Sequence, residues 1–171
     1  VLPDGVVLDE SLDVMKWALS AGRCHSTMSQ TLVSLYALDD VVANKLVVHN
    51  DTVFKTNLDR YKYAERFPEY SMETYREQGE VFLAELEKSL VQHQYLISDQ
   101  VSWVDIAIMP FIRQFAHVDK TWFYQTSYKK LQNWLDNLIA DNLFQGVMKK
   151  YPCWQEGDLP SYFSSTLEEY Q

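Results

Sequence analysis

The stretch that decides the fold is Val101–Val118, which reads Val-Ser-Trp-Val-Asp-Ile-Ala-Ile-Met-Pro-Phe-Ile-Arg-Gln-Phe-Ala-His-Val. Ser102 and Asp105 have nearly the spacing and chemistry of a capping box, with an acid one methylene shorter than the usual Glu. In such a pair each side chain satisfies a backbone N–H that the first helical turn leaves unpaired. The pattern therefore predicts a helix that begins at Ser102.

Apolar side chains occur on nearly every side of this predicted helix. A helix that is apolar all round either crosses a membrane or lies inside a bundle. The apolar run is shorter than the roughly 17–25 residues that a bilayer requires, and Asp105 and Arg113 interrupt it. We therefore expect a core helix, surrounded by other helices, that tolerates Pro110 in its interior.

The composition limits the class of fold and the kinds of partner. The 171 residues are 47% hydrophobic and include only five glycines and five prolines, which favours a packed, mainly helical protein. The net charge of −9 argues against nucleic-acid and membrane partners, because both attract basic surfaces. The two cysteines and four histidines lack metal-ligand spacing, so we expect no metal site and reduced cysteines in a cytoplasmic protein.

The first 22 residues have a different character from the rest. Residues 1–8 are typical of the end of one strand, a turn at Pro3-Asp4-Gly5 and a short second strand, and a helix is expected from about Asp9. A lone two-stranded hairpin is marginally stable and needs a partner sheet, which the remaining sequence does not supply. We therefore expect residues 1–22 to be a remnant of a second domain and residues 23–171 to form an all-helical domain.

Apolar periodicity predicts the remaining helices. They are a broken helical region over 29–67 that a new cap at Asn50 restarts, helices over 71–92 and 127–141, and a short helix over 143–151, with a connecting turn at 119–123. Gly79 lies within the apolar stripe of the 71–92 helix. It indicates either a close approach of two helices or merely a weak helix-forming residue.

Glu10 and Ser11 are candidate binding residues, because they lie where the second strand meets the first helix. A helix N-terminus favours an anion. The hydroxyl of Ser11 can donate to a carboxylate and the carboxylate of Glu10 can accept from an ammonium, so together they suit an α-amino acid headgroup. The alternative is that Asp9 or Ser11 merely caps the helix.

Two motifs carry a resemblance to a known family. The segment Val1–Met15 resembles the last hairpin and third helix of the thioredoxin-like domain of cytosolic glutathione transferases. Ser102–Ala107, with Pro110 and Phe111, is similar to the capped core helix of the all-helical second domain of that family. Leu58–Ala64 and residues 110–116 resemble a bacterial branch of the family. The likeness runs from residue 1 to about residue 158, and the two motifs occur in the order and separation found in the family.

The resemblance implies a mainly α fold, in which a glutathione transferase C-terminal helical bundle follows a β-hairpin and helix left from a thioredoxin-like domain. It implies that Glu10 and Ser11 hold the γ-glutamyl end of glutathione, and that Arg60, Tyr61 and Tyr63 face an electrophile cleft. Core packing for Tyr61 and a surface charge for Arg60 remain alternatives. The implied reaction is the attack of glutathione thiolate on a small apolar electrophile, in a homodimer with glutathione as co-substrate and no further cofactor.

The thiol-activating residue of that family lies near a first strand that this sequence does not include. Cys24 and Cys153 do not match its place, so we assign no catalytic residue and expect the 171-residue chain by itself to be inactive. Two alternatives stay open. One is a non-catalytic interaction or regulatory module with the same fold, and the other is a glutaredoxin-like thiol reductase.

Overall fold

The computed structural model describes residues 1–2, 4–22 and 41–159. Expectations for the linker at 23–28, for Cys24, for the start of the 29–67 helical region and for the end of the C-terminal tail lie outside the described residues. The described helices are α1 (Ser11–Gly22), α2 (Val41–His49), α3 (Lys55–Lys62), α4 (Met72–Gln92), α5 (Trp103–Val118), α6 (Lys120–Gln125), α7 (Lys129–Ala140) and α8 (Asn142–Val147).

Helix α5 is the centre of the bundle, as the sequence predicts. It contacts α2, α3, α6 and α7, and its N-terminus has the capping box of Ser102 and Asp105. Pro110 lies inside the helix but on its exposed side, where water can bond the carbonyl that the missing N–H leaves free. Among the helices of the described part of the chain, none combines the length and the apolar character that crossing a membrane would need.

Helix α4 accommodates the ring of Phe115, a residue of α5, at Gly79. Ser71 caps α4 by accepting a hydrogen bond from the Thr74 N–H at 3.2 Å, and the predicted apolar stripe is buried from Tyr75 to Leu90. A Cβ atom added at Gly79 would overlap the ring of Phe115 on α5. The glycine therefore makes room for the Phe115 ring, which gives it a packing role in the stripe. A close approach of the two helix backbones stays a prediction.

The region between α2 and α3 differs from the prediction. Asn50 does not begin a new helix, because residues Asn50–Phe54 form a π-helical turn that joins α2 directly to α3. The side chain of Asn50 is 1% exposed and its Nδ2 atom donates to Asp51 Oδ1 at 2.9 Å. It therefore lies inside the protein and caps no helix. A 3₁₀ turn, Ala64–Arg66, follows α3.

The predicted turn at 119–123 is also helical. Asp119 caps the short helix α6, and its Oδ1 atom accepts from the Trp122 N–H at 2.9 Å. Phe123 is fully buried, so this segment is part of the core. Near the C-terminus, α8 ends at Val147, four residues earlier than predicted.

The N-terminal hairpin is not seen. Residues 1–2 and 4–10 contain no strand, although a turn forms in which the Leu2 N–H donates to the Val6 carbonyl at 2.7 Å and Gly5 has a φ of 87°. A hairpin without a neighbouring sheet is marginal, which accounts for the absence of a ladder. Helix α1 does form, and Leu12, Met15 and Leu19 pack against the bundle core.

Candidate functional site

A hollow of about 250 Å³ lies where α1 meets the helical bundle, and we call it the Glu10 hollow. Three parts of the chain contribute to it: the start of α1, the segment from α2 to α3 with its π-helical turn, and the middle of α5. Its lining residues are Glu10, Ser11, Leu12, Met15, Val47, Asn50, Asp51, Lys55, Ile106, Ala107, Pro110 and Phe111. The two candidate residues of the N-terminal segment therefore face the helical bundle.

Glu10 and Ser11 are exposed to solvent at the edge of this hollow. The carbonyl of Glu10 accepts from the Val14 N–H at 3.1 Å, so the main chain of Glu10 begins α1. Within the described residues, neither side chain has a hydrogen-bond partner. Ser11 therefore does not cap α1, and both side chains are available to a ligand.

The polar wall of the Glu10 hollow comes from the π-helical turn and the residue after it. Lys55 Nζ and Asp51 Oδ1 form an ion pair at 2.7 Å, and the same carboxylate oxygen accepts from Asn50. The Oδ1 atom of Asn50 is buried and has no hydrogen-bond partner among the described residues. π-helical turns occur frequently at functional sites. This wall combines hydrogen-bond acceptors with one cation.

The apolar wall of the same hollow comes from α5. Ile106, Ala107, Pro110 and Phe111 line it, and Lys55 Nζ lies 4.2 Å from the centre of the Phe111 ring. This cation–π contact keeps the lysine side chain against the apolar wall. The hollow can therefore hold a ligand that has a charged head and an apolar part.

The structure places Arg60, Tyr61 and Tyr63 elsewhere, since none of them lines the Glu10 hollow. The guanidinium of Arg60 lies 6.0 Å from the centre of the Tyr75 ring. Tyr63 directly follows α3, and the guanidinium of Arg66 lies 4.6 Å from the centre of its ring. The assignment of these three residues to an electrophile cleft stays a prediction.

Tyr61 is fully buried in the bundle core. Its ring centre is 4.8 Å from that of Phe115, and its hydroxyl has no hydrogen-bond partner among the described residues. Burial raises the pKa of this hydroxyl above its ordinary value, and the nearby Arg76 guanidinium offsets part of that rise. Tyr61 therefore has the surroundings of a core residue.

Sequence reasoning did not find Asn50, Asp51 or Lys55 as site residues. The one signal was the polar run Asn50-Asp51-Thr52 inside an apolar helical pattern, which also suits a helix cap. Only the fold brings these residues to Glu10 and Ser11.

Comparisons with known proteins agree with this architecture. Residues 29–142 match the family model described as "Glutathione S-transferase, C-terminal domain". No curated protein matches the chain, and no solved structure does either. The family match covers well over half of the chain and includes the capped core helix. The chain therefore belongs to the glutathione S-transferase family.

Proposed function

We propose that this protein is a glutathione transferase that binds the γ-glutamyl end of glutathione at the Glu10 hollow. Membership of the glutathione S-transferase family supports the general activity. The observation that carries the binding site is the position of Glu10 and Ser11, which are exposed, unpaired within the described residues and directed at a hollow in the helical bundle.

Glu10 and Ser11 would recognise opposite ends of the α-amino acid headgroup. The hydroxyl of Ser11 and the free N–H groups at the start of α1 donate to the carboxylate, and the positive end of the helix dipole adds to this attraction. The carboxylate of Glu10 accepts from the ammonium group. These charge-assisted bonds orient the peptide and do not act on its sulfur atom.

The π-helical turn would complete the recognition of the ammonium group. Asp51 adds a second carboxylate to the hollow, and the unpaired Oδ1 atom of Asn50 needs a donor. Lys55 holds Asp51 in place through their ion pair. A ligand that brings an N–H donor to this wall would satisfy the Asn50 oxygen, which has no partner among the described residues.

The reaction that we propose is the attack of the glutathione thiolate on a small apolar electrophile. The carbon–sulfur bond forms as the leaving group departs with its electron pair, or as the thiolate adds to an activated double bond that then takes up a proton. The apolar wall at Ala107 and Phe111 would hold the electrophile beside the bound peptide. No residue of this chain is assigned as the group that lowers the pKa of the thiol.

The binding of glutathione to the intact protein, measured by calorimetry, tests the proposal with two matched variants. Ser11→Ala removes the proposed donor, and we expect it to weaken binding about tenfold or more, the loss of one charge-assisted hydrogen bond. Ser20→Ala removes an exposed hydroxyl from the same helix, where it donates to the Lys16 carbonyl at 2.8 Å. That control should bind glutathione as the unchanged protein does.

Equal affinities for the unchanged protein and Ser11→Ala would contradict the assigned role of Ser11. An intact protein that binds glutathione but conjugates no electrophile would favour the non-catalytic module over the transferase. Reduction of mixed disulfides with glutathione, in the absence of conjugation, would favour the thiol reductase. The binding measurements therefore test the site, and the activity measurements test the reaction separately.

A further inference from the structure

A second hollow, of about 320 Å³, lies at the C-terminal ends of α3 and α5. We call it the Arg113 hollow, and its lining residues are Lys62, Arg113, Gln114, His117 and Val118. Two of them are cations, one can become a cation, and one carries a neutral amide. No described residue that lines it carries a carboxylate, although the chain has 24 acidic residues and a net charge of −9.

Aromatic rings, rather than acids, hold the two cations in place. The guanidinium of Arg113 lies 5.7 Å from the centre of the Phe144 ring, and Lys62 Nζ lies 4.9 Å from that of Tyr63. Lys62 also donates to Gln114 Oε1 at 3.4 Å. Within the described residues neither cation has an ion pair. Cation–π contact positions a charge without neutralising it, so both charges stay available.

The pKa of His117 is consistent with a positive field in this hollow. Burial lowers the pKa of His117 below its ordinary value, and the charges of Lys120 and Arg113 lower it further. The nearby Asp119 carboxylate is engaged in capping α6 through the Trp122 N–H. The imidazole therefore shares the hollow with Lys62 and Arg113 and also lies in the field of Lys120. An anion bound among these groups would favour its protonated form.

Compensation of helix dipoles accounts for only part of this arrangement. Lys62 and His117 lie in the last turns of α3 and α5, where a cation stabilises the partial negative charge of the helix end. Arg113 lies more than one turn before the end of α5, beyond the reach of that effect. The placement of Arg113 in one hollow with Lys62 and His117 therefore needs another explanation.

We propose that the Arg113 hollow binds small molecules through a multiply charged oxyanion group, of the phosphate or polycarboxylate type. The planar fork of Arg113 suits two oxygens of such a group, and Lys62 adds a point charge. Gln114 can offer its amide N–H, and protonated His117 supplies a further donor. This site is separate from the Glu10 hollow and does not depend on glutathione binding.

Histidine NMR spectra of the 171-residue chain test the proposal directly. Sodium pyrophosphate is added at constant ionic strength, and the imidazole signals are followed as a function of pH. We expect a saturable change at His117 and a rise in its pKa when the anion is bound, with tighter binding at pH 6 than at pH 8. His49, which pairs with Glu85 at 2.7 Å, and His93 are internal references that should not change.

Charge-matched variants separate a specific site from general attraction. Lys62→Met and Arg113→Gln each remove one positive charge from the hollow, and we expect each to weaken binding about tenfold or more. Lys88→Met removes the same charge from the exposed side of α4 and should leave binding unchanged. Thermal midpoints measured for all three variants show that each remains folded.

The titration is repeated with succinate to identify the ligand chemistry. Tighter binding of pyrophosphate assigns the hollow to phosphate compounds, and tighter binding of succinate assigns it to carboxylates. A change at His117 that does not saturate, or an equal change at His93, would overturn the proposal. Equal losses of affinity in Lys88→Met and Arg113→Gln would also overturn it.

Discussion

The indole N–H of Trp134 on α7 donates to the Oδ1 atom of Asp105 on α5 at 2.9 Å. The same oxygen accepts from the Leu96 N–H at 2.9 Å, in the loop after α4. The other carboxylate oxygen accepts from the N–H of Ser102 at 2.9 Å and from its hydroxyl at 2.6 Å. Asp105 is fully buried, so one carboxylate closes the helix cap and also joins α5 to α7 and to the loop.

Asp105→Ala should therefore destabilise the fold far more than the loss of a surface cap would. It leaves several buried donors without an acceptor, at roughly 1–3 kcal/mol each, and we expect a total loss of about 3–5 kcal/mol. Trp134→Phe keeps most of the ring and removes one bond, so it should cost less. Urea unfolding measures both changes in free energy.

Asn137→Ala is the control for these variants, because Asn137 is exposed on α7. We expect it to change the free energy of unfolding by no more than about 0.5 kcal/mol. A loss of only about 1 kcal/mol in Asp105→Ala, the usual cost of an N-cap, would show that the contacts to Trp134 and Leu96 add no stability.

Gly79→Ala should destabilise the protein, although alanine is the better helix former. The added Cβ overlaps the ring of Phe115, and overpacking of this kind typically costs about 1–3 kcal/mol. In a Phe115→Leu background the same change should cost less, which a double-mutant cycle measures.

Gly146→Ala is the matched control for Gly79→Ala. Gly146 lies in α8, and an added Cβ there meets nothing within 4 Å. This variant should be neutral or up to about 1 kcal/mol more stable, because only helix propensity changes. Similar stability changes for the two glycines would contradict the tight contact between Gly79 and the Phe115 ring.

Asn50→Leu should separate stability from binding. Leucine has a similar size and removes a buried oxygen that lacks a partner among the described residues, so we expect stability to stay the same or to rise by up to about 1–2 kcal/mol. If Asn50 binds glutathione, the affinity should fall at the same time. Urea unfolding and calorimetry on one preparation measure both quantities, and reduced stability with unchanged affinity would make Asn50 a structural residue.

The stability of the protein should fall at alkaline pH. The Tyr128 hydroxyl donates to Glu80 Oε2 at 3.0 Å, and burial, followed by this contact, raises its pKa to about 12. Because the folded pKa is above the unfolded value near 10, the contribution is complete below pH 10 and is lost between about pH 10 and 12. Tyr124, which donates to Asp136 at 2.5 Å, behaves in the same direction.

Urea unfolding at a series of pH values checks this prediction. Tyr128→Phe should lower the free energy of unfolding at pH 8 and make its decrease between pH 10 and 12 smaller. Part of the decrease should remain, because Tyr124 still titrates in the same direction. Tyr151→Phe, at an exposed position, should leave the profile unchanged. Identical pH profiles for Tyr128→Phe and the unchanged protein would contradict the prediction.

The core helices could be predicted because their signals are local. The cap of α5 involves residues three positions apart, and the stripe of α4 repeats at the helical period, so a short window contains each pattern. Gly79 was informative because it interrupts such a stripe. The sequence predicts a turn where the short helix α6 forms, because the cap residue Asp119 precedes too few residues to show periodicity.

The Glu10 hollow could be predicted only in part. The amino acid types of Glu10 and Ser11 suggest binding chemistry, and that assignment stays a prediction. The opposite wall comes from residues that are distant in sequence. The polar sequence around the buried Asn50, in its π-helical turn, is also what an exposed helix cap would have, so the sequence alone does not distinguish the two. The prediction of a hairpin was wrong for a related reason, because a strand depends on neighbouring strands that a local sequence pattern does not contain.

The contact between Gly79 and Phe115 has a consequence for the amount of protein in a cell. The ring of Phe115 also contacts the rings of Phe54, Tyr61 and Trp122, so a small side chain at position 79 would loosen several helices together. Neither residue lines the Glu10 hollow or the Arg113 hollow. Cells degrade unstable proteins faster, so Gly79→Ala would act as a temperature-sensitive allele that lowers abundance on warming and leaves the residues of both proposed binding sites unchanged.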